Sequence, residues 1–436
     1  MIGNEFSEDR AGIVDAKQKR TGWWAQRLTW FLRDGDVLVC ATAPEPEYLR
    51  YVCDLIDTRV SSLRLVVPPP GALGEGVLSD DRLANPSFVA ELRETIGDDT
   101  LEAIIPLHPQ AGVARLARAL GAETALPGAA FMDQGGGRLA NSKAAFRAVA
   151  AGNGVPTASG AVCTTRAEAL EAITGFVERG LPVIAKHDLR AGGRGNEVLT
   201  PVDGFEPVGA ERRELLHDRE QVAQYLGRRW AWLTSEGRSP LTIEQYHPGS
   251  RALYAEFEIT RDGARFAGQG ELISAPLAAA EIVPAPDLSK AELESLLLGG
   301  ERLACALYHL GYRGVVSADA ILTPERELLF TEYNSRITGT TPVYEIIGKR
   351  IIGPDYADNR VLLDHDGWYV PSFRAALDTL AVHGLAYDPE LKTGVILVLP
   401  LNPVEKSVRY CIAELDLDRA WAVQARVGAL LGGLTR

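Results

Sequence analysis

Cysteine is sparse and scattered in this chain of 436 residues: Cys40, Cys53, Cys163, Cys305 and Cys411 form no C-x-x-C pair. An odd, dispersed set argues against a disulfide framework and fits reduced thiols in a cytoplasmic protein. No two histidines stand at the i, i+4 spacing of H-E-x-x-H, so a zinc site has no support. Long apolar runs are missing as well; Val395 to Leu401 is among the longest and is much too short to span a bilayer. Met1 to Arg20 is polar and charged and lacks the apolar core of a secretory signal, which again points to the cytoplasm. Positive charge is in deficit, with 45 Lys and Arg against 58 Asp and Glu and a formal net charge of -13. A phosphate backbone selects basic surfaces, so general nucleic-acid binding is excluded, although one basic cleft for a small anion is not. No repeat period or low-complexity tract is present.

What the chain does have is length for two or three domains. Its 46% apolar and 24% charged residues are the balance of a globular protein. In the first third, β-branched runs at Asp36 to Ala41, Leu63 to Val67 and Leu101 to Leu107 alternate with helical spacing at Glu47 to Ile56, Phe88 to Ile96 and Ala111 to Leu120. Repeated strand–helix units predict a doubly wound parallel α/β domain over 1–127. No G-x-G-x-x-G follows these strands, so the usual dinucleotide fingerprint is missing. Trp23, Trp24, Trp30 and Phe31 precede the first strand and are expected to dock a leading helix rather than form a binding surface. A glycine run at Gly135 to Gly137 marks the next unit. Helices at Ser142 to Ala151 and Arg166 to Arg179, strand Pro182 to Lys186 and a helical insertion at Asp218 to Trp232 open it. Strands at Leu241 to Tyr246, Ala252 to Thr260, Gly314 to Leu322 and Leu328 to Tyr333 complete it, to 354. After Pro354 the texture changes; Thr393 to Leu401, Ser407 to Ile412 and helix Leu417 to Leu431 predict a small α+β domain over 355–436.

The sharpest chemical signal is Thr331-Glu332-Tyr333-Asn334-Ser335-Arg336 at a strand end. Side chains alternate along a strand, so Glu332, Asn334 and Arg336 share a face. Counting outward from the turn at Thr323 to Glu327 sets Asp319 opposite Glu332 to within about one residue. Two carboxylates and an amide oxygen on one face suit Mg2+, a hard cation that keeps waters and bridges phosphates. An arginine beside them can hold a carboxylate or phosphoryl group in its planar fork. Taken alone, the cluster reads equally as a salt-bridged strand pair. Lys186 closes a strand ahead of Arg190-Ala191-Gly192-Gly193-Arg194-Gly195, a lysine and glycine-rich turn suited to phosphate. No G-K-[ST] follows, so it is not a Walker A loop, and such a turn alone is usually a hairpin. Thr242-Ile243-Glu244-Gln245-Tyr246 sets an acid and backbone groups where they can meet an adenine edge. Lys143 opens a helix and by itself reads as a solvated lysine.

In chain order these are a lysine at a helix start, a lysine with a glycine loop, an E-x-Y strand end, an aspartate and E-x-N-x-R. That succession resembles the ATP-grasp superfamily, which includes D-alanine–D-alanine ligase, biotin carboxylase and carboxylate–amine ligases. The resemblance implies an ATP-grasp core over 128–354 with a mobile lid at about 156–241, ATP and Mg2+ as cofactors, and amide formation through an acyl phosphate. It implies that Lys143, Lys186, Gly192, Gly193 and Gly195 meet the ATP phosphates and that Glu244 and Tyr246 line the adenine. Asp319, Glu332 and Asn334 would hold the metal, with Lys186 and Arg336 as the catalytic pair. The ribose acid is Glu256 or Glu258, which share a strand face, so alternation does not choose between them. Glu197 sets a negative charge just beyond the glycine loop, where phosphates are expected. The long N-terminal domain, the Pro201 to Pro240 insertion and the Thr393 to Leu401 segment resemble the peptide ligases of pheganomycin type. That implies a small-molecule carboxylate and an amino-acid or peptide amine as substrates, in antibiotic biosynthesis. It implies no nucleic-acid or membrane partner and leaves a homodimer open. The alternatives are a carboxylase or thioester-forming ligase of the same superfamily, and a nucleotide-binding module that regulates without catalysis.

Overall fold

The computed structural model describes residues 1–4 and 21–430. The stretch 5–20, most of the polar start of the chain, and Leu431, where the last helix is expected to end, lie outside the described residues. Short parallel strands β1 (Val37–Val39) and β2 (Arg64–Val66) pair residue for residue. Ile2 bridges in parallel to Val39 on one side and to Pro106 on the other. Its N–H donates to Ile105 O at 2.9 Å, and the Gly3 N–H donates to Val39 O at 2.8 Å. The strand expected at Leu101 to Leu107 is reduced to that one bridge, since Pro106 has no N–H with which to continue a ladder. Alternation sends Leu38 and Cys40 into the core shared with helix Pro46–Leu55, and Val39 into the one shared with helices Pro86–Ile96 and Ala111–Ala119. Helices therefore cover both faces, which is the doubly wound arrangement. Trp23 and Trp30 are buried and tie this unit to the far end of the chain, their indole N–H groups donating to Pro400 O and Val398 O at 2.7 Å each.

Strands β3 (Gly160–Cys163), β4 (Val183–His187), β5 (Asn196–Thr200), β6 (Arg212–Leu215) and β7 (Leu241–Gln245) form a second sheet in the order β3-β7-β4-β5-β6. Helix Arg166–Val177 starts on a Thr165/Glu168 capping box and helix Arg219–Leu233 on Asp218. Together they bury one face of the sheet through Ile173, Val177, Tyr225 and Leu226. Ile184 pairs with Glu244 across β4 and β7, so these two and Lys186 share the opposite face.

The third and largest sheet is antiparallel throughout. It comprises β8 (Arg251–Thr260), β9 (Gly263–Ser274), β10 (Ala278–Val283), β11 (Gly314–Leu322), β12 (Leu328–Asn334), β13 (Val361–Tyr369), β14 (Gly394–Leu397) and β15 (Ser407–Glu414). Their order is β12-β11-β8-β9-β10-β13-β15-β14, so the strands after Pro354 extend the sheet of the core. Helices Lys143–Gly152 and Lys290–Leu310 cover one face, with Phe146, Leu303 and Leu307 against Ala255, Ala318 and Phe330. Gly299 permits that approach, because a Cβ there would lie 2.3 Å from Phe330 Cε2. Register and alternation put Glu256, Ser317, Asp319, Glu332 and Asn334 on the other face. Among the described residues no helix is long and apolar enough to cross a membrane.

Candidate functional site

Asp319 and Glu332 are cross-strand partners, as are Ser317 and Asn334, and the bulge comes only after Asp319. The Ser317 hydroxyl donates to Asp319 Oδ1 at 2.6 Å; the Asn334 amide donates to Asp319 Oδ2 at 2.8 Å and Glu332 Oε1 at 3.3 Å. Burial, and then the charge of Glu332, push the Asp319 carboxyl well above the usual carboxylate range. Burial acts the same way on Glu332, but Lys143, Lys186 and Arg336 outweigh it and hold that carboxyl below its ordinary value. The pair is therefore short of positive charge, which a proton or a cation can supply. Among the described residues no three His, Cys, Asp or Glu side chains gather into a metal cage. Two carboxylates with an amide beside them still fit Mg2+, which takes few protein ligands and keeps water and phosphate oxygens for the rest. With the amide turned over, Asn334 would present its oxygen to a cation held by the two acids.

The lysines come from different units and meet here. Lys143, at the start of its helix, places Nζ 2.8 Å from Glu332 Oε2 and donates to Arg190 O at 2.6 Å. Lys186, from β4, places Nζ 2.5 Å from Glu244 Oε2 and donates to Thr331 O at 3.3 Å, crossing from the second sheet to the third. Arg147 holds the other oxygen of Glu244 at 2.5 Å. Lys143 and Lys186 are thus each paired with a carboxylate. The glycine turn lies alongside, Gly192 and Gly193 holding φ of +66° and +74°, where only glycine is free of strain. Asp188, not anticipated from the sequence, anchors the turn to the helix of Lys143 by accepting from the Ser142 hydroxyl at 2.7 Å and the Ala144 N–H at 3.0 Å. Glu197 faces away from the cleft: it lies opposite Ala185, paired with Arg229, and accepts from the Tyr225 hydroxyl at 2.8 Å.

Tyr246 stacks on Phe205, ring centroids 5.8 Å apart, beside the buried cluster of Ile184, Val198 and Ala210. Together they make an apolar wall next to Lys186 and Glu244. The Arg336 guanidinium donates to Asn141 Oδ1, while the ion pair of Glu332 goes to Lys143. Glu256, expected at the ribose, is fully buried, and hydroxyls of Thr338, Thr340, Thr341 and Tyr344 occupy both of its oxygens. Glu258 is not brought to the lysines either; it is half-exposed and paired with Arg265 on the neighbouring strand. Asp188, Asn141, Arg147 and Phe205 carry no motif of their own. Only the position of Asp188, two residues past Lys186, could have drawn attention to it. A cavity of about 1550 Å3 runs between the N-terminal unit and the β8–β9 hairpin and reaches Arg336 at its inner end. Two pairs of its charged lining residues engage one another, Arg64 with Asp99 and Arg265 with Glu258.

The family model of the pre-ATP-grasp domain matches residues 25–122, and that of the PGM1 C-terminal domain matches residues 375–427. No curated protein matches the chain in sequence. Among solved structures, the biotin carboxylase of Campylobacter jejuni, as its beta-gamma-ATP complex, aligns at TM-score 0.59 and 14% identity over 93% of this chain and 86% of its own. The biotin carboxylase domain dimer of Hydrogenobacter thermophilus 2-oxoglutarate carboxylase, with MgADP and bicarbonate, aligns at 0.59 and 15% over 98% and 89%. The L-amino acid ligase of Bacillus licheniformis aligns at 0.54 and 13% over 93% and 92%. At such identities the likeness is one of architecture: the chain has the ATP-grasp fold, and its residues 25–122 match the pre-ATP-grasp domain.

Proposed function

We propose that the protein is an ATP- and Mg2+-dependent ligase that joins a carboxylate to an amine through an acyl phosphate. The carrying observation is that Lys143, 2.8 Å from Glu332, and Lys186, on the carbonyl of Thr331, reach from two units to the half-buried Asp319–Glu332 pair. Lys143 and Lys186 would hold the ATP phosphates, turning to them from Glu332 and Glu244. The adenine fits the wall of Ile184, Val198, Tyr246 and Phe205, with Glu244 at the edge. Asp319, Glu332 and Asn334 would hold Mg2+, which when bound neutralises phosphate charge. The substrate carboxylate attacks the γ-phosphoryl, giving an acyl phosphate and ADP; the amine then attacks the acyl carbon and phosphate leaves. Arg336 sits beside the acids, where its fork can hold the oxyanion. Residues of about 156–241 act as a lid that keeps water from the acyl phosphate.

Within this chemistry we favour a peptide ligase that couples a modified amino acid to a peptide N-terminus in natural-product biosynthesis. The match of residues 375–427 to the PGM1 C-terminal domain supports it, as does the fold of an L-amino acid ligase. A cytoplasmic homodimer is part of the same reading, by analogy with the dimeric carboxylase domain. The carboxylase reading rests on the two biotin carboxylase structures. A panel of carboxylates against amino acids and short peptides, scored for ADP and by product mass, separates the two. Ligation is expected to release ADP and phosphate in step with the amide. AMP and pyrophosphate would exclude acyl-phosphate chemistry, and turnover requiring biotin and bicarbonate would favour the carboxylase.

Lys186→Ala tests the nucleotide half alone. Removing one charged phosphate partner is expected to weaken ATP binding roughly 10- to 100-fold. Glu244 keeps Arg147 at 2.5 Å, so the fold should survive. Unchanged ATP affinity by calorimetry would remove Lys186 from the phosphate site.

A further inference from the structure

We infer that Glu256 is a positioning residue that fixes the turn carrying Arg336, an inference that rests on the role given to Arg336 above. Glu256 comes from β8, opposite Ser317, and is fully buried. Among the described residues it has no ion-pair partner; its neighbours are four hydroxyls. Thr338 donates to Oε1 at 2.5 Å and Thr340 donates to the same oxygen, while Thr341 at 2.9 Å and Tyr344 at 2.7 Å donate to Oε2. Two donors on each oxygen is the full complement of an ionised carboxylate, and three of the four come from the turn that begins two residues after Arg336. Burial pushes the Glu256 carboxyl above its ordinary value and the four hydroxyls pull against that shift, an arrangement too costly for an ordinary turn.

The same segment is held at every step. Ser335 O accepts from Asn141 Nδ2 at 3.3 Å, and Ile337 O from Arg27 Nη2 at 3.0 Å. Gly339 is packed from the other side: a Cβ there would lie 3.0 Å from the Trp24 ring and 3.3 Å from Arg409. Residues flanking Arg336 on both sides are therefore fixed, and on the C-terminal side Glu256 anchors Thr338 to Thr341, beyond the Ile337 carbonyl that Arg27 holds. A guanidinium that must meet an oxyanion needs that fixity, because a displacement of about 1 Å can cost two orders of magnitude in rate.

Glu256→Gln keeps the shape but offers one acceptor oxygen and an NH2 that cannot accept, so hydroxyls on that side must turn away. With the carboxylate–amine pair returned by the panel, turnover is expected to fall on the order of tenfold. ATP affinity and magnesium dependence should stay unchanged, and Glu256→Asp should restore part of the loss. In an Arg336→Lys background, Glu256→Gln should cost little more, because both act through one group. Factors that multiply, or normal turnover in Glu256→Gln, overturn the inference. Normal turnover in Arg336→Lys alone defeats instead the reading of Arg336. Hydrogen exchange of residues 337–345, which needs no substrate, is expected to quicken in Glu256→Gln. If that variant does not fold, Thr340→Val, which deletes one donor, takes its place in both measurements. Unchanged exchange overturns the inference equally.

Discussion

Glu332→Gln is expected to cut magnesium-dependent turnover roughly 10²–10³-fold, the rate equivalent of the several kcal/mol that a well-held metal contributes. ATP binding should be nearly intact. One oxygen of Glu332 lies beside Asn334 and the other holds Lys143 at 2.8 Å, so the substitution does two things. It removes an anionic oxygen from the proposed metal site, and it frees a lysine whose side chain is only 6% exposed. A buried ammonium that loses its partner destabilises the fold. A phosphate oxygen can take the place of the carboxylate, so ATP should raise the melting temperature of the variant more than that of the wild type. Turnover against magnesium concentration and melting with and without ATP check both halves. Near-normal turnover at saturating ATP and magnesium would take Glu332 out of the metal site.

Parts of this site could be read from the sequence because they are local. Asp319 and Glu332 flank one hairpin, and counting from its turn pairs them as the structure does. The same alternation rule explains why Glu197 is no obstacle to phosphate: lying opposite Ala185, it must face the helix layer, away from Lys186. What stayed hidden is non-local. Asp188 meets Ser142 across 46 positions, Glu244 meets Arg147 across 97, and Asn141 meets Arg336 across 195. No spacing rule reaches so far. Glu256 and Glu258 share a strand face, so only the turn at Thr338 to Thr341 distinguishes the buried one. The pairing of Ile2 with Val39 rests on too few residues for periodicity to register. After Pro354 the change in texture marks the small C-terminal unit but not the direct pairing of its β13 with β10, a continuity set by contacts more than 75 positions apart.

Arg336→Lys asks whether the guanidinium serves chemistry or only the strand end. Arg336 lies two residues beyond Asn334 and helps to hold the Glu332 carboxyl ionised, yet the ion pair of Glu332 is made with Lys143. Its hydrogen bond to Asn141 fastens the strand end to the segment before Lys143. A lysine keeps the charge, can still donate to Asn141, and loses the planar fork. If the fork holds the oxygen that gains charge as the amine attacks, the variant should fold and bind ATP but lose roughly 10²–10³ in turnover, the usual cost of one oxyanion donor. If Arg336 only secures Asn141, the lysine suffices and turnover should change little. Melting temperature, ATP affinity and turnover of this one protein decide it. Normal turnover, or a loss of stability large enough to account for the whole deficit, removes Arg336 from the mechanism.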